Sequence, residues 1–306
     1  MQKMYMSKLL ELAERDKNVL HLIADSGTGY DKIFQHNFPG QILEFGIAEE
    51  HMVAAAAGMA TAGKIPFVFT TGAFLAYRSF EFIRNDICFQ NLNVKLVGFG
   101  SGLALCSLGP SHHTTEDVAV LRAIPNLKIL SPATPIQVAA CVEEAYRYNG
   151  PVYIRIGMND EQEFYPSDYQ LPKTGQDVLK DDGKLLLMTT GTILEEVMEA
   201  AEKLQTVGIN STVVNVTAIK PFSDELFLQK AKQADIIVTV EEHNVIGGLA
   251  GIIAETMVQH GVMKRFFRIG LKDTFAIGYG KTQNMVRKQN HLDAESIAGE
   301  IMEIYK

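Results

Sequence analysis

The chain has 306 residues, of which 47% are hydrophobic and 21% are charged, so it resembles an ordinary soluble globular protein with room for two domains. The formal charge of −8, from 28 basic and 36 acidic residues without a basic cluster, argues against nucleic acid as a partner. No uncharged apolar run reaches the roughly 18 residues that a membrane span requires.

The three cysteines, Cys88, Cys106 and Cys141, are odd in number, widely spaced and outside any CxxC pattern. This pattern favours neither a disulfide framework nor a zinc site. Since the N-terminus also lacks a signal-peptide pattern, the sequence predicts a cytoplasmic protein that is not inserted in a membrane.

Apolar runs alternate with amphipathic segments through the first half of the chain. Continuous apolar strands with helical crossovers are typical of a mainly parallel sheet that is covered on both faces. The predicted strands are residues 19–24, 67–71, 94–99, 128–130 and 152–156, and a helix is predicted at 135–148. Residues 1–160 are therefore predicted to form one doubly wound α/β domain.

Residues 161–183 interrupt this alternation, because they are polar and rich in turn-forming residues, and they are predicted to be a linker. The alternation then resumes over residues 184–306, which predicts a second and smaller doubly wound α/β domain with a mainly parallel sheet. Its predicted strands are residues 184–188, 211–216, 236–240 and 266–269, and its predicted helices are 194–205 and 249–260.

The most informative motif is the acidic pair Glu49-Glu50 followed by His51, just ahead of the small residues at 54–58. The helix dipole favours carboxylates in a first turn, and small side chains let another backbone or a cofactor approach closely. Taken alone, the motif is also typical of a solvated acidic start to a core helix. Residues 42–51 resemble the segment of transketolases that carries the invariant thiamine diphosphate glutamate. By this resemblance Glu49 is that glutamate, and the chain looks like the C-terminal half of a transketolase.

Three aromatic residues, Phe74, Tyr77 and Phe80, follow one another at a spacing of three, which predicts one shared helical face. Such a stripe is more often part of a core than of a cofactor site. The resemblance to transketolases implies that these rings pack around the pyrimidine of thiamine diphosphate.

The loop Gly109-Pro110-Ser111-His112-His113 resembles the Gly-Pro-Thr-His-Gln loop of transketolases, whose histidine faces the reacting substrate. The resemblance assigns that catalytic and substrate-binding role to His112. A surface turn is the main alternative. A metal site is disfavoured, because adjacent histidines in a turn rarely converge on one ion.

Two further residues have inherited roles by resemblance. Arg155, at the end of the strand 152–156, corresponds to an arginine that binds the sugar phosphate, although a strand-end salt bridge is an equal alternative. Asp25, in the glycine-rich turn 25–29, corresponds to an aspartate that organises the cofactor site, and a simple Asx turn is its alternative.

Other positions depart from the transketolase pattern. Leu108, Gly100 and Gly29 stand where the family carries residues that read a sugar hydroxyl or a phosphate. Apolar or absent side chains cannot make these hydrogen bonds. The sequence therefore predicts that the common pentose phosphates are not the preferred substrates.

Residues 238–249 resemble the Val-Glu-Glu-His turn and the paired glycines of the transketolase C-terminal domain. A strand, a polar turn and a closely packed helix are expected there. The implied role is structural or at a subunit contact.

The chain lacks the Gly-Asp-Gly motif, followed by Asn, of the diphosphate-binding domain. The resemblance then implies a split enzyme, in which a separate N-terminal subunit holds the diphosphate of thiamine diphosphate and the Mg²⁺ or Ca²⁺ ion. No metal ligand is assigned to this chain. The expected assembly is a heterotetramer, a dimer of heterodimers, that transfers a two-carbon ketol unit from a ketose to an aldehyde.

Two alternatives stay open from the sequence. The first is the beta subunit of a 2-oxo acid dehydrogenase, which also lacks the diphosphate domain. The second is a scaffold of the same fold without catalytic activity.

Overall fold

A computed structural model describes residues 1–25, 29–158, 161–276 and 278–305. These residues form a seven-stranded and a five-stranded sheet, both covered by helices. Within each sheet all strand pairs are parallel except one, which involves an edge strand. The predicted fold class, two doubly wound and mainly parallel α/β units, is confirmed.

The strands, in chain order, are β1 (Val19–Ile23), β2 (Ile42–Glu44), β3 (Ile65–Thr71), β4 (Lys95–Phe99), β5 (Lys128–Leu130), β6 (Val152–Ile156), β7 (Gln176–Asp181), β8 (Leu185–Thr190), β9 (Ser211–Val216), β10 (Ala218–Lys220), β11 (Ile236–Asn244) and β12 (Arg265–Leu271). The α-helices are α1 (Gln2–Arg15), α2 (Gly29–Asn37), α3 (Glu49–Thr61), α4 (Phe80–Phe82), α5 (Asp117–Arg122), α6 (Pro135–Arg147), α7 (Leu194–Thr206), α8 (Asp224–Gln233), α9 (Leu249–Gln259), α10 (Gln283–Gln289) and α11 (Ala294–Tyr305). Two π-helical turns cover Phe74–Arg78 and Ile83–Cys88, and a 3₁₀ turn covers Gly191–Ile193.

The first sheet has the strand order β10-β5-β6-β4-β3-β1-β2. Every residue of β1, β4 and β6 is buried, as expected for parallel strands with helices on both faces. The carboxyl ends of β1, β2, β3 and β4 lead into the segments that carry Asp25, Glu49, Phe74 and the loop before His112. In open α/β sheets this is the edge where ligands bind.

The second sheet has the strand order β12-β11-β8-β9-β7. Its edge strand β7 lies inside the range 161–183 that is predicted as a linker. β7 is antiparallel to β9 and only partly buried, so its alternating polar residues resemble a loop in the sequence. Two further strands are not predicted from the sequence, the short β2 and β10. The strand β10 comes from the second half of the chain but pairs antiparallel with β5 of the first sheet.

The two sheets share apolar packing. One buried cluster contains Leu121 and Ile129 from the first half together with Phe227, Leu249 and Ile253 from the second half. The second domain therefore packs directly against the first. Within the described ranges, no helix is both long and apolar enough to cross a bilayer.

Candidate active site

Glu49 is the first residue of α3 and lies just after the left-handed Gly46, whose φ is +65°. Its side chain is only 2% exposed, and its Oε2 accepts a hydrogen bond of 2.6 Å from Nη1 of Arg78. Among the described residues, Oε1 has no hydrogen-bond partner. The first turn of the helix thus holds a buried carboxylate with one oxygen available to a further donor.

The aromatic series does not form the single helical face that its spacing predicts. Residues Phe74–Arg78 are π-helical, and Ser79 separates them from α4. A π-helix closes its hydrogen bonds at i→i+5 and therefore has more residues in each turn than an α-helix. A spacing of four, not three, then brings side chains together, and Phe74 and Arg78 have this spacing.

Phe74 connects the Glu49 region with the predicted substrate histidine. The guanidinium carbon of Arg78 lies 4.8 Å from the centre of the Phe74 ring. The other neighbour of that ring is His112, with a centroid distance of 5.0 Å and an edge-on geometry. Glu49, Arg78, Phe74 and His112 therefore form one continuous chain of contacts, which we call the glutamate–histidine cluster.

Tyr77 and Phe80 lie outside the glutamate–histidine cluster as the structure describes it. The Tyr77 hydroxyl donates to Oε2 of Glu116 and accepts from the Glu116 amide, both at 2.9 Å. Burial raises the pKa of the Tyr77 phenol, with Asp117 acting in the same direction. Phe80 packs against the apolar cluster that the two domains share. The structure therefore favours a core role for Phe80, and the cofactor roles of both rings stay predictions.

His112 sits in a tight turn that presents its imidazole toward Phe74. The amides of His112 and His113 both donate to the carbonyl of Gly109, at 2.9 and 3.2 Å, and Ser111 Oγ lies 2.9 Å from Nδ1 of His112. Among the described residues, Nε2 of His112 has no hydrogen-bond partner. His112 is thus half-buried, with a ring nitrogen available to a substrate.

His113 differs sharply from its neighbour. It is 2% exposed, and within the described ranges neither ring nitrogen has a hydrogen-bond partner. Burial lowers the pKa of its imidazole, although nearby carboxylates act in the opposite direction. The surroundings of His113 therefore favour the neutral imidazole.

Asp25 lies at the end of β1 with a φ of +43°, a conformation that aspartate tolerates better than most residues. Its amide donates to Oε1 of Glu44 at 2.7 Å, and the Gly46 amide donates to the same oxygen at 3.0 Å. Glu44, which the sequence does not single out, thus joins the ends of β1 and β2. The rest of the predicted turn, residues 26–28, lies outside the described residues.

Arg155 has a well-defined set of protein partners. It is 3% exposed. Its Nε donates to Asp117 at 2.9 Å, and its Nη2 donates to the carbonyls of Thr114 and Glu242. Burial acts to lower the pKa of Arg155, but Asp117, Tyr153 and Glu242 together outweigh it, so the pKa is raised. These contacts are those of the salt-bridge alternative and connect the two domains, while the phosphate-binding role of Arg155 stays a prediction.

Comparisons with known proteins agree with this geometry. The family of the transketolase pyrimidine-binding domain matches residues 1–160, and that of the transketolase C-terminal domain matches residues 175–297. A protein of Methanocaldococcus jannaschii named as a transketolase C-terminal section is 36% identical, over 100% of this chain and 96% of its own length. The chain belongs to the transketolase family. A protein of Actinobacillus succinogenes named as one subunit of an apulose-4-phosphate transketolase is 34% identical, over 95% of this chain and 93% of its own.

A solved structure supports the same assignment. A split-gene transketolase, described as an inactive β4 tetramer, is 31% identical, with a TM-score of 0.88. The match covers 99% of this chain and 96% of that one. The resemblance to the C-terminal half of a transketolase is thereby confirmed, and the transketolase names of the relatives favour this family over the 2-oxo acid dehydrogenase alternative.

The departures from the transketolase pattern have a structural basis at one position. Gly100 has a φ of +78°, and a Cβ built there would lie 2.8 Å from Cδ1 of Leu105. The Leu105 side chain thus fills the space that a longer residue at position 100 would need. Leu108, in contrast, is 48% exposed and remains available to contact a ligand.

The Val-Glu-Glu-His segment of this transketolase chain lies at the end of β11 and contacts both domains. Glu241 accepts the amides of Leu249 and Ala250 at the start of α9. His243 Nε2 accepts the amide of Ala119, while its Nδ1 lies 2.6 Å from the Asn244 carbonyl. The structural role implied by the resemblance agrees with these contacts.

Sequence reasoning does not identify Arg78, a member of the glutamate–histidine cluster, or Asp117, the partner of Arg155. The spacing of four residues between Phe74 and Arg78 is visible in the sequence, but the π-helical turn that brings the two side chains together is not. Nothing in the sequence connects Asp117 with Arg155, because the two residues are 38 positions apart. Within the described ranges, no three His, Cys, Asp or Glu side chains converge as a cation site.

Proposed function

We propose that this chain is the C-terminal subunit of a heteromeric, thiamine diphosphate-dependent transketolase. The observation that carries this proposal is the glutamate–histidine cluster. It places a buried carboxylate, an aromatic ring and a half-buried histidine along one edge of the sheet.

The residues of the glutamate–histidine cluster fit the pyrimidine half of thiamine diphosphate. Oε1 of Glu49 is an acceptor without a partner among the described residues, in a site where an unpaired polar atom is unfavourable. A pyrimidine nitrogen that carries a proton would satisfy it, and the Phe74 ring offers an apolar surface beside it. Bound thiamine diphosphate supplies the carbanion chemistry of ketol transfer.

In this proposal each residue has a defined task. Glu49 fixes the protonation and orientation of the pyrimidine ring, Arg78 holds Glu49 in place, and Phe74 excludes water. The free Nε2 of His112 hydrogen-bonds an oxygen of the ketose or of the aldehyde acceptor. Asp25, Tyr77 and Phe80 stay proposed contacts of the cofactor region.

A partner subunit follows from what this chain supplies. The described residues offer the pyrimidine side of the site, so we assign the diphosphate and its Mg²⁺ or Ca²⁺ ion to a separate N-terminal transketolase subunit. The split-gene relative described as an inactive β4 tetramer supports this division of labour. We further propose a dimer of heterodimers in the cytoplasm. The proposed domains are residues 1–160 and 184–306, and β7 of the segment 161–183 joins the sheet of the second domain.

Isothermal calorimetry and a ketol-transfer assay test the proposal. The chain alone should bind thiamine diphosphate weakly and give no turnover, and addition of the N-terminal subunit with Mg²⁺ should restore both. Micromolar cofactor binding by the chain alone would contradict the split site. Tight assembly without turnover on any ketose would favour the non-catalytic scaffold.

The substrate is proposed to differ from the common pentose phosphates. Leu108 and Gly100 replace polar family residues, and Arg155 is engaged with Asp117. Each missing charged contact weakens phosphate binding by roughly 1.5 to 3 kcal/mol, or about tenfold or more. Specificity constants for xylulose 5-phosphate and a panel of other ketoses would test this. A clear preference for xylulose 5-phosphate would show that the partner restores the lost contacts.

A further inference from the structure

A pair of backbone hydrogen bonds closes the base of the loop that carries His112. Gly102 and Thr114 exchange two backbone hydrogen bonds of 3.0 and 2.9 Å, and residues 103–113 between them form what we call the histidine loop. Although it follows β4 of the first domain, the position of this loop is not explained by first-domain contacts alone.

Two apolar side chains of the histidine loop belong to the core of the second domain. Leu103 is completely buried and Cys106 is 9% exposed, and both pack in the cluster that contains Leu187, Val240 and Ala276. The side that faces the second domain is thus fixed by packing with residues more than 80 positions away in the chain.

Three polar or close contacts connect the histidine loop with the second domain. The Leu103 amide donates to Oε1 of Glu242, which also accepts from the side-chain amide of Gln283. Farther along the loop, the Cys106 carbonyl accepts the Gly280 amide at 3.1 Å. These two contacts anchor the first half of the histidine loop.

The third contact lies next to His112 itself. The ring of Tyr279 covers Gly109 so closely that a Cβ at position 109 would stand 2.2 Å from Cε1 of the tyrosine. The carbonyl of the same Gly109 accepts the amides of His112 and His113. Tyr279 therefore packs on Gly109, the residue whose carbonyl holds the His112 turn together.

A cavity lies beside the first half of the histidine loop. It has a volume of about 290 Å³ and is bordered by Cys106, Lys281 and Arg287, so this part of the loop and α10 are not in continuous contact. The described contacts between the loop and the second domain are therefore separate points, and the Tyr279 contact is the one next to His112.

We propose that Tyr279 is a positioning residue, by which the second domain fixes the Gly109 turn and so orients His112 toward the substrate. The inference rests on the proposed function, because it assigns the substrate contact to His112. It adds a task for the second domain, which then participates in the active site through the histidine loop.

A double-mutant cycle in the assembled enzyme tests this role. Tyr279→Ala should lower kcat/KM by about 10- to 100-fold in the presence of His112, because a misplaced substrate contact costs that much. In a His112→Ala background the same change should have an effect within about twofold, since the two residues act as one unit. Tyr279→Phe, which keeps the ring, should retain nearly full activity. Equal losses in both backgrounds would overturn the proposal.

A second measurement does not depend on activity. In the full chain without its partner, Tyr279→Ala should increase hydrogen–deuterium exchange of the His112 and His113 amides about tenfold. Tyr305→Ala on α11 is the matched control and should leave their exchange unchanged. Unchanged exchange in Tyr279→Ala would refute the positioning role, whereas a wild-type assembly without turnover would refute only the proposed function.

Discussion

Glu49 and Glu50 are adjacent carboxylates with different surroundings, which makes them a matched pair. Glu49 is buried against Arg78, while Glu50 is half-buried. Glu49→Gln keeps the shape of the side chain but alters its acid–base behaviour, so kcat of the assembled enzyme should fall by about 100-fold or more. Glu50→Gln should change kcat by less than about threefold. Steady-state kinetics of both variants would check this, and a larger loss in Glu50→Gln would move the catalytic role to the neighbour.

Arg78 supports Glu49 from the open side of the glutamate–histidine cluster. Its side chain is 38% exposed, so solvent reduces the strength of the ion pair, yet Glu49 depends on it for a hydrogen bond. Arg78→Met should lower the free energy of unfolding by about 1 to 3 kcal/mol, because it removes a donor to a buried carboxylate. Urea denaturation would measure the loss.

The control for Arg78 is Arg84 in the next π-helical turn. Arg84 is exposed and donates to the neighbouring Asn85. Arg84→Met should change the free energy of unfolding by less than about 0.5 kcal/mol. Equal losses in the two variants would mean that the Glu49–Arg78 pair contributes nothing specific.

Among the elements, β4 begins with an unusual residue. Lys95 is completely buried, and its Nζ donates to the carbonyls of Tyr148 and Gly150, at 2.7 and 2.8 Å, just after α6. Burial, and to a lesser extent the charge of Lys128, lower the pKa of Lys95 from 10.5 to about 7. The folded state therefore loses stability as the pH falls from 10.5 to about 7, and the full loss is present below about pH 7.

The pH dependence follows from the sign of this shift. Between pH 7 and 10.5 the unfolded chain binds the proton more strongly, so the free energy of unfolding should rise with pH. The Lys95 contribution amounts to at most about 1.4 kcal/mol per pH unit. Urea unfolding at about pH 7.5 and about pH 9.5 should show this increase in wild type and in the exposed control Lys17→Met, but not in Lys95→Met. An identical slope in all three would mean that the two carbonyls keep Lys95 charged.

Buried strands are easier to predict from the sequence than strands that face solvent. Strands such as Lys128–Leu130, Val152–Ile156 and Ser211–Val216 have the predicted bounds, because buried parallel strands are continuous apolar runs. The strand Gln176–Asp181 was missed, since an edge strand that faces solvent has the composition of a linker. Ala218–Lys220 is not predicted, because it follows Ser211–Val216 almost directly and its pairing with the first sheet depends on the fold.

The motifs that resemble transketolases identify residues of the candidate site, but they do not show how these residues are arranged. Glu49 and His112 both lie in such motifs, and the structure connects them through Arg78 and Phe74. The π-helical turn has no sequence signature, so the separation of Tyr77 from Phe74 was not foreseeable. The partner of Arg155 depends on the fold, because it lies on a different element.

For the whole molecule, the surface around Glu49 is expected to meet the partner subunit. Ile47 is 73% exposed and stands two residues before Glu49. Ile47→Asp should raise the dissociation constant of the N-terminal subunit about tenfold or more, because an apolar contact is replaced by a charge that must be desolvated. Met263→Asp, at a site that is 92% exposed between α9 and β12, should bind normally. A fluorescence titration would compare the dissociation constants, and equal affinities would place the interface elsewhere.

The insertion of β10 into the first sheet has a consequence for synthesis on the ribosome. Ala218 pairs with Leu130, so the β5 edge cannot close until the 60 residues from 161 to 220 have been added after the first domain. At bacterial and eukaryotic elongation rates this takes roughly 3 to 12 seconds. During that interval the backbone N–H and C=O groups on the outer side of β5 are unpaired, and such an edge can pair with strands of other chains. The order of translation thus imposes a period in which the chain depends on chaperones or on its own speed of folding.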